Sequence, residues 1–208
     1  MRVVSRIGEI MRIIGGELRG RRLRSPPRDV RPTSDRVREA LFGRLDAVVP
    51  GARVLDLYAG TGALGIEALS RGAKSATFVD RSARSIAVLR KNLSALGLED
   101  RAEWHRGETV RLLRRWARAD TQPQAFDLVL LDPPYDAGEA ESGLRALVEA
   151  RVLAPDATVV VESAKRHSLG PVGGLDPIDR RTYGDTVITR LAPGRRERLP
   201  EDAAPPDE

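Results

Sequence analysis

The chain contains no cysteine. That removes disulfide frameworks and cysteine-ligated metal sites at once. Its only histidines are His105 and His167, too few for a histidine-based metal centre, so no metal is expected. Apolar runs are short, as at Phe126–Leu131, where a membrane helix needs roughly 20 residues. The first residues show no signal-peptide pattern. The expectation is a soluble cytoplasmic protein without a membrane partner. Lysine is scarce too: three of the 35 basic residues are lysine, and the rest are arginine.

What is present is unevenly placed. The net charge is +5, but residues 1–44 carry 12 Arg against 5 Asp or Glu, a local +7, so the remainder sums to −2. A basic front on a near-neutral body points to a polyanion partner. Arginine preference alone does not explain why acids are few there. Arg19, Arg21, Arg22 and Arg24 are the candidates for nucleic-acid phosphate contact.

The chain's 208 residues fit one medium domain with a small appendage. Residues 1–10 read as a loose extension, with Met11 as an alternative start. Met11–Arg24 mixes β-branched residues with glycines and is predicted as a small hairpin. Ser25-Pro26-Pro27 breaks it. Thr33 or Ser34 then caps a helix with Val37, Leu41 and Leu45 on one face, ending near Pro50-Gly51. From residue 51 to 193 strands and helices alternate, the pattern of a doubly wound parallel sheet. Predicted strands are Arg53–Tyr58, Ser75–Asp80, Ala102–Arg106, Phe126–Leu131 and Thr158–Glu162. Predicted helices cover 63–71 and 83–96, then one around Val110, Leu113 and Trp116 and one around Leu144, Leu147 and Val148. Arg180–Tyr183 and Thr186–Leu191 flank Gly184-Asp185, a hairpin loop. Residues 194–208 are charged and proline-rich and are predicted to be disordered. Trp104 and Trp116 are expected in the core; His105 and His167 are expected on strands or the surface.

Two segments carry chemistry. Asp132-Pro133-Pro134-Tyr135 follows the apolar run at 126–131. A base amino nitrogen has its lone pair delocalised into the ring and is a poor nucleophile. Asp132 supplies an acceptor for its N–H bonds, and Tyr135 a flat surface for the ring. The prolines stiffen the loop and remove donors, leaving carbonyls to face the amine. A plain strand terminator would also use Asp and Pro. The second segment places glycines at 60, 62 and 65 in a literal G-x-G-x-x-G. Alone it fits a dinucleotide pyrophosphate equally well. Asp56, just before it, would sit badly against a pyrophosphate but well against a cation or the loop itself. Asp80, 24 residues after Asp56, suits ribose hydroxyls in either case. Gly107-Glu108-Thr109 follows the third strand, where an ordinary helix cap is the alternative to an adenine contact.

Taken together, the loop at 54–65, Asp80 and the tetrad at 132–135 resemble a class I S-adenosyl-L-methionine-dependent methyltransferase of the amino-directed group. Met11–Gly16, Gly20–Leu23, Arg31-Pro32-Thr33, Asp35–Phe42 and Tyr183–Thr186 narrow the resemblance to the RsmD family, bacterial enzymes methylating a guanine N2 in 16S ribosomal RNA. It runs from Met11 to Ala192. The resemblance implies an α/β fold: a Rossmann-like, doubly wound, mostly parallel seven-stranded sheet with an antiparallel C-terminal hairpin and a small N-terminal hairpin-and-helix extension at 11–50. It implies catalysis by Asp132, Pro133, Pro134 and Tyr135. It implies a cofactor site of Asp56, Tyr58, Ala59, Gly60, Thr61, Gly62, Asp80, Arg81, Glu108 and Thr109, with Arg31 and Thr33 bordering the methionine end. Glu108 stands where the family usually has Asp or Asn. The implied substrate is 16S RNA in a small ribosomal subunit or assembly intermediate, Arg31 is added to the RNA-binding arginines, and the implied state is a monomer. The residues leave open amino methylation of DNA or another RNA, and a non-catalytic RNA-binding module.

Overall fold

The computed structural model describes residues 11–25, 35–119, 123–134, 137–167 and 169–194. In chain order these form β1 (Met11–Arg12), β2 (Arg22–Leu23), α1 (Asp35–Gly43), β3 (Arg53–Leu57), α2 (Ala63–Ser70), β4 (Ser75–Asp80), α3 (Ala83–Leu96), β5 (Ala102–Arg106), α4 (Thr109–Ala117), β6 (Phe126–Leu131), α5 (Ala137–Ala150), β7 (Leu153–Ala164), β8 (Leu175–Tyr183) and β9 (Thr186–Pro193). β3 to β9 make one seven-stranded sheet in the order β5-β4-β3-β6-β7-β9-β8. Strands β3 to β7 run parallel, and β9 returns antiparallel against β7 and β8.

The central strands are apolar on both faces because helices cover both. On one face Val54, Phe78, Leu128 and Leu130 pack with α1, α2 and α3 through Leu41, Ile66, Leu69 and Leu89. On the other, Leu55, Leu57, Val129 and Leu131 pack with α4 and α5 through Leu113, Trp116, Leu144 and Leu147. The order reverses direction between β3 and β6, and the loops after them therefore open a crevice at their C-terminal ends.

Most predicted elements fall where expected, with informative shifts at their ends. β3 stops at Leu57 because Tyr58 turns to a left-handed φ of 63°. β7 runs 12 residues, longer than Thr158–Glu162, because it begins where Leu153 pairs with Phe126 of β6 and continues to Ala164 in pairing with β9. Among the described residues the front hairpin pairs Met11 with Leu23 and Arg12 with Arg22, and Ile13 bonds to Arg21 and Gly20 beyond them. The Pro26-Pro27 break and the Thr33 or Ser34 cap lie outside the described residues. Trp116 is buried, but Trp104 is only half-buried, lying under the Arg90 guanidinium 5.3 Å from its ring centre. His105 sits on edge strand β5, its ring edge-on to Trp116.

A fully buried carboxylate holds the front segment to the sheet. Glu67 of α2 accepts the backbone N–H of Ile14 and of Gly15, each at 2.8 Å, and the Arg71 Nε at 2.8 Å. Ser70 donates to the Gly15 carbonyl and accepts from the Leu18 N–H. Gly16 has φ 78°, and a Cβ there would lie 1.9 Å from the Ser70 carbonyl oxygen, so only glycine fits. Consistent with this attachment, Ile13 and Leu23 join the same apolar cluster as α2 and α3. Glu67→Ala leaves two backbone donors unpaired inside the protein and takes from Arg71 its closer carboxylate, leaving it Asp46 at 3.4 Å. It is expected to cost about 3 kcal/mol of unfolding free energy, measured by denaturant titration. A loss below about 1 kcal/mol, the net worth of a single ordinary hydrogen bond, would show that the clamp is incidental.

Candidate active site

The crevice is built from the ends of three adjacent strands. β3 leads into the glycine loop, β4 ends at Asp80, and β6 ends at Asp132. Because Leu57 pairs with Val79 on one side and Leu131 on the other, the residues after them reach one level. The Asp132 N–H donates to the Leu57 carbonyl at 3.4 Å, which brings the Asp-Pro-Pro corner against the start of the glycine loop. Asp132 is half-buried, Pro133 buried and Pro134 exposed. Tyr135 lies outside the described residues, as do Arg31 and Thr33.

Two carboxylates shape the loop. Asp80 accepts from the Gly60 N–H at 2.8 Å with one oxygen and from the Ser82 N–H at 2.7 Å with the other. A carboxylate has about four acceptor positions, so each oxygen keeps capacity for a further donor. Gly60 has φ 55°, and nothing lies within 4 Å of a Cβ built on it: its backbone faces open space above Asp80. Asp56 is buried and accepts the Gly65 N–H at 2.9 Å. Burial pushes its pKa up to about 7; the Gly65 bond opposes the rise and the Asp80 charge adds to it. Gly62, at φ 84°, and Gly65 are both crowded: a Cβ would come 2.3 Å from Leu89 and Phe78 respectively.

This arrangement separates the two readings of the glycine motif. A pyrophosphate needs the free N–H groups and positive field of a helix N-terminus. Here Asp56 already takes the Gly65 N–H and places a carboxyl beneath that turn. The site suits a ligand with vicinal hydroxyls and positive charge, and not a dinucleotide phosphate bridge. The open backbone at Gly60 and the spare acceptors of Asp80 fit an adenosyl group bearing a sulfonium.

Other predicted residues take specific places. Thr61 is buried, its carbonyl accepting from Asn92; the Ala59 N–H donates to the Val79 carbonyl. Tyr58, half-buried, donates its hydroxyl to the Glu139 carbonyl of α5 at 3.3 Å. Burial, with Glu139 nearby, pushes its pKa up to about 12, so it remains a neutral donor. Arg81 is exposed and reaches Glu139 at 3.7 Å, linking the loop after β4 to α5. Glu108 spends its carboxylate capping α4, accepting the Val110 and Arg111 N–H groups at 3.0 and 2.8 Å. Arg21 donates to the Ala95 carbonyl at the C-terminal end of α3, while Arg19, Arg22 and Arg24 are exposed.

Two further residues were not singled out by sequence. Asn92 accepts the Arg24 N–H and donates to the carbonyls of Arg24 and Thr61, tying the front segment to the glycine loop through one buried amide. Its signal was present: a polar side chain flanking the apolar stripe of Ile86, Leu89 and Leu93. Glu139 joins Tyr58 and Arg81, with no signal beyond its helical position. Among the described residues no group of acidic or histidine side chains is placed to hold a metal, and no helix is long and apolar enough to cross a membrane.

The sheet order, the two helical layers and the reversed final hairpin define a class I S-adenosylmethionine-dependent methyltransferase fold. A sequence family described as Conserved hypothetical protein 95 matches residues 11–192. Ribosomal RNA small subunit methyltransferase D of Escherichia coli is 37% identical over 182 residues, 87% of this chain and 88% of that one. Its Haemophilus influenzae namesake is 39% identical over 160 residues, 76% of this chain and 80% of that one. The solved structure of yhhF from Escherichia coli superposes with a TM-score of 0.77 at 34% identity, covering 88% of this chain and 97% of that one. The chain belongs to this RsmD-type family of bacterial ribosomal RNA methyltransferases and is an S-adenosylmethionine-dependent enzyme.

The raised pKa of Asp56 has a sign that can be checked. The unfolded carboxyl titrates near 4, so between about pH 4 and 7 the folded state holds a proton that the unfolded state has lost. Stability therefore falls as pH rises through that window, by up to about 1.4 kcal/mol per pH unit. Asp56→Asn keeps an acceptor for Gly65 and removes the titration. Denaturant titrations across pH 4–8 are expected to show a downward slope in wild type that is missing in the variant. Parallel profiles would mean that Asp56 ionises in its ordinary range.

Proposed function

We propose that this enzyme methylates the exocyclic N2 amine of one guanine in small-subunit (16S) ribosomal RNA, in a small ribosomal subunit or assembly intermediate, acting as a monomer. The observation that carries the reading is the contact between Asp132 and Leu57, which sets an amine-binding corner beside the glycine loop. Identity with proteins named for small-subunit RNA supports the polymer.

The roles follow from the chemistry. Asp80 receives the ribose hydroxyls of the cofactor, and the backbone from Ala59 to Gly62 lies along it, with Asp56 and Thr61 fixing that turn. Thr109, Glu108 and Arg81 border the adenosine end, and Tyr58 props the loop against α5. Arg31 and Thr33 border the methionine end. S-adenosylmethionine supplies the electrophilic methyl group when bound. The target base leaves its stack, at a cost of about a few kcal/mol. Tyr135 stacks on it, and Asp132 with the Pro133 or Pro134 carbonyl accepts the N2 hydrogens. Those bonds aim the nitrogen lone pair and stabilise positive charge as it develops on the amine. The methylated nitrogen is acidic enough to release its proton without a strong base. Arg19, Arg21, Arg22, Arg24 and Arg31 contact RNA phosphates.

The corner specifies an amine and not the polymer that carries it, so DNA or another RNA is the competing substrate. Transfer of labelled methyl to undermethylated small ribosomal subunits, followed by nucleoside analysis, decides between them: N2-methylguanosine is expected, and label only in another nucleoside or in DNA overturns the proposal. In the same assay Asp132→Ala is expected to lose at least about a hundredfold in turnover while keeping its affinity for S-adenosylhomocysteine. Tyr135→Phe should be mild and Tyr135→Ala severe; equal losses would assign the role to the hydroxyl. Turnover near wild type in Asp132→Ala would remove the carboxylate from the mechanism.

A further inference from the structure

Residues 81–118 hold ten Arg or Lys against four Asp or Glu, a local balance of +6. The front segment is therefore not the only basic region. The outer part of that segment is anchored by Leu18 to Ser70 and by Arg21 to Ala95, at the C-terminal ends of α2 and α3. Those ends point away from the loops that form the crevice.

Helix α4 is placed differently. It begins at Thr109, just after Gly107, whose backbone N–H donates to the Asp80 carbonyl at 3.0 Å and so sets this helix end beside the crevice. Thr109, Leu112, Leu113 and Trp116 are its buried face. Arg111, Arg114, Arg115 and Arg118 share the opposite face, and all four are exposed. Arg114 has Glu149 of α5 at 3.7 Å. Arg111, Arg115 and Arg118 have no carboxylate partner among the described residues, and Glu108, the acid nearest in sequence, is committed to capping the helix. Like charges at i, i+3 and i+4 destabilise a helix. The helix dipole favours Arg114, Arg115 and Arg118 near the C-terminal end but opposes Arg111 in the first turn. Among the described residues nothing compensates the whole set.

We propose that the arginine face of α4 is a docking surface for the phosphate backbone of the RNA substrate, starting at the rim of the active site and running about 10 Å along the helix. Guanidinium groups suit phosphate oxygens through paired N–H donors. A second copy of this chain would meet the same positive face and be repelled. The inference rests on the RNA-methyltransferase reading above and adds where the nucleic acid lies.

The test compares wild type with the triple variant Arg111→Gln, Arg115→Gln, Arg118→Gln, which removes charge and retains good helix formers. Affinity for 16S RNA and for undermethylated small subunits is measured from about 50 to 200 mM salt, the range over which phosphate contacts are most sensitive. Three lost phosphate contacts are expected to weaken binding more than tenfold at the low-salt end. They should also flatten the slope of log affinity against log salt by about 2. Circular dichroism and S-adenosylhomocysteine affinity should be unchanged, which separates lost docking from lost folding. Affinity within twofold of wild type with an unchanged slope overturns this inference alone. Absence of RNA binding and methyl transfer in the wild type would instead overturn the function on which it rests.

Discussion

The pairing of β3 with β6 is the constraint from which the site follows. It is fixed at both ends. At the N-terminal end Asp127 accepts from the Arg53 backbone N–H and from two guanidinium nitrogens, at 2.8 to 3.1 Å, which holds the carboxyl below its ordinary pKa. At the C-terminal end the Asp132 N–H meets the Leu57 carbonyl. Between them Val54 to Leu57 pair in register with Leu128 to Leu131. A slip of one residue would turn every side chain of β6 to the other face and would carry Asp132 away from the loop. The slip is opposed because it would break the Arg53–Asp127 pair and misfit the close-packed side chains on both faces.

Polar groups then tie loops to this frame from inside. Asp80 holds Gly60, Asp56 holds Gly65, and Asn92 holds Thr61. Each is a side chain from a rigid element fixing the backbone of the turn. Asn92 also grips Arg24, and Glu67 grips Ile14 and Gly15. The front segment is thus coupled to the glycine loop rather than merely appended. Tyr58 and Arg81 extend the network across the crevice to Glu139. A left-handed φ at a residue as bulky as Tyr58 is uncommon and is characteristic of functional turns.

The sheet was legible because its strands are short apolar runs closed by Gly, Asp or Pro, and because the helices between them carry a 3.6-residue period. Strand ends β4, β5 and β6 were readable to the residue for that reason. The end of β3 was not, since the turn at Tyr58 depends on a tertiary contact with the Glu139 carbonyl of α5. β7 was underread because Leu153–Ala157 mixes Pro155 and Asp156 into a strand whose pairing comes from distant β6 and β9. Acidic residues in strands and loops signalled the crevice, but their partners are backbone donors that no sequence pattern displays. Glu108 shows the limit: its position fits either a ligand contact or a helix cap, and the two cap bonds it makes come from backbone N–H groups. Averaging charge over everything after residue 44 concealed the basic stretch at 81–118, because acids elsewhere cancel it.

On the proposed reading, the corner after β6 and the carboxylate after β4, at the ends of the two strands that flank β3, face one ligand. A crystal structure with S-adenosylhomocysteine tests it directly. Ribose hydroxyls are expected on Asp80, adenosine along Gly60 to Gly62, and the sulfur turned toward Asp132 with room between them for one planar base. An adenosyl group seated elsewhere, or a sulfur turned away from the Asp132 corner, would contradict it.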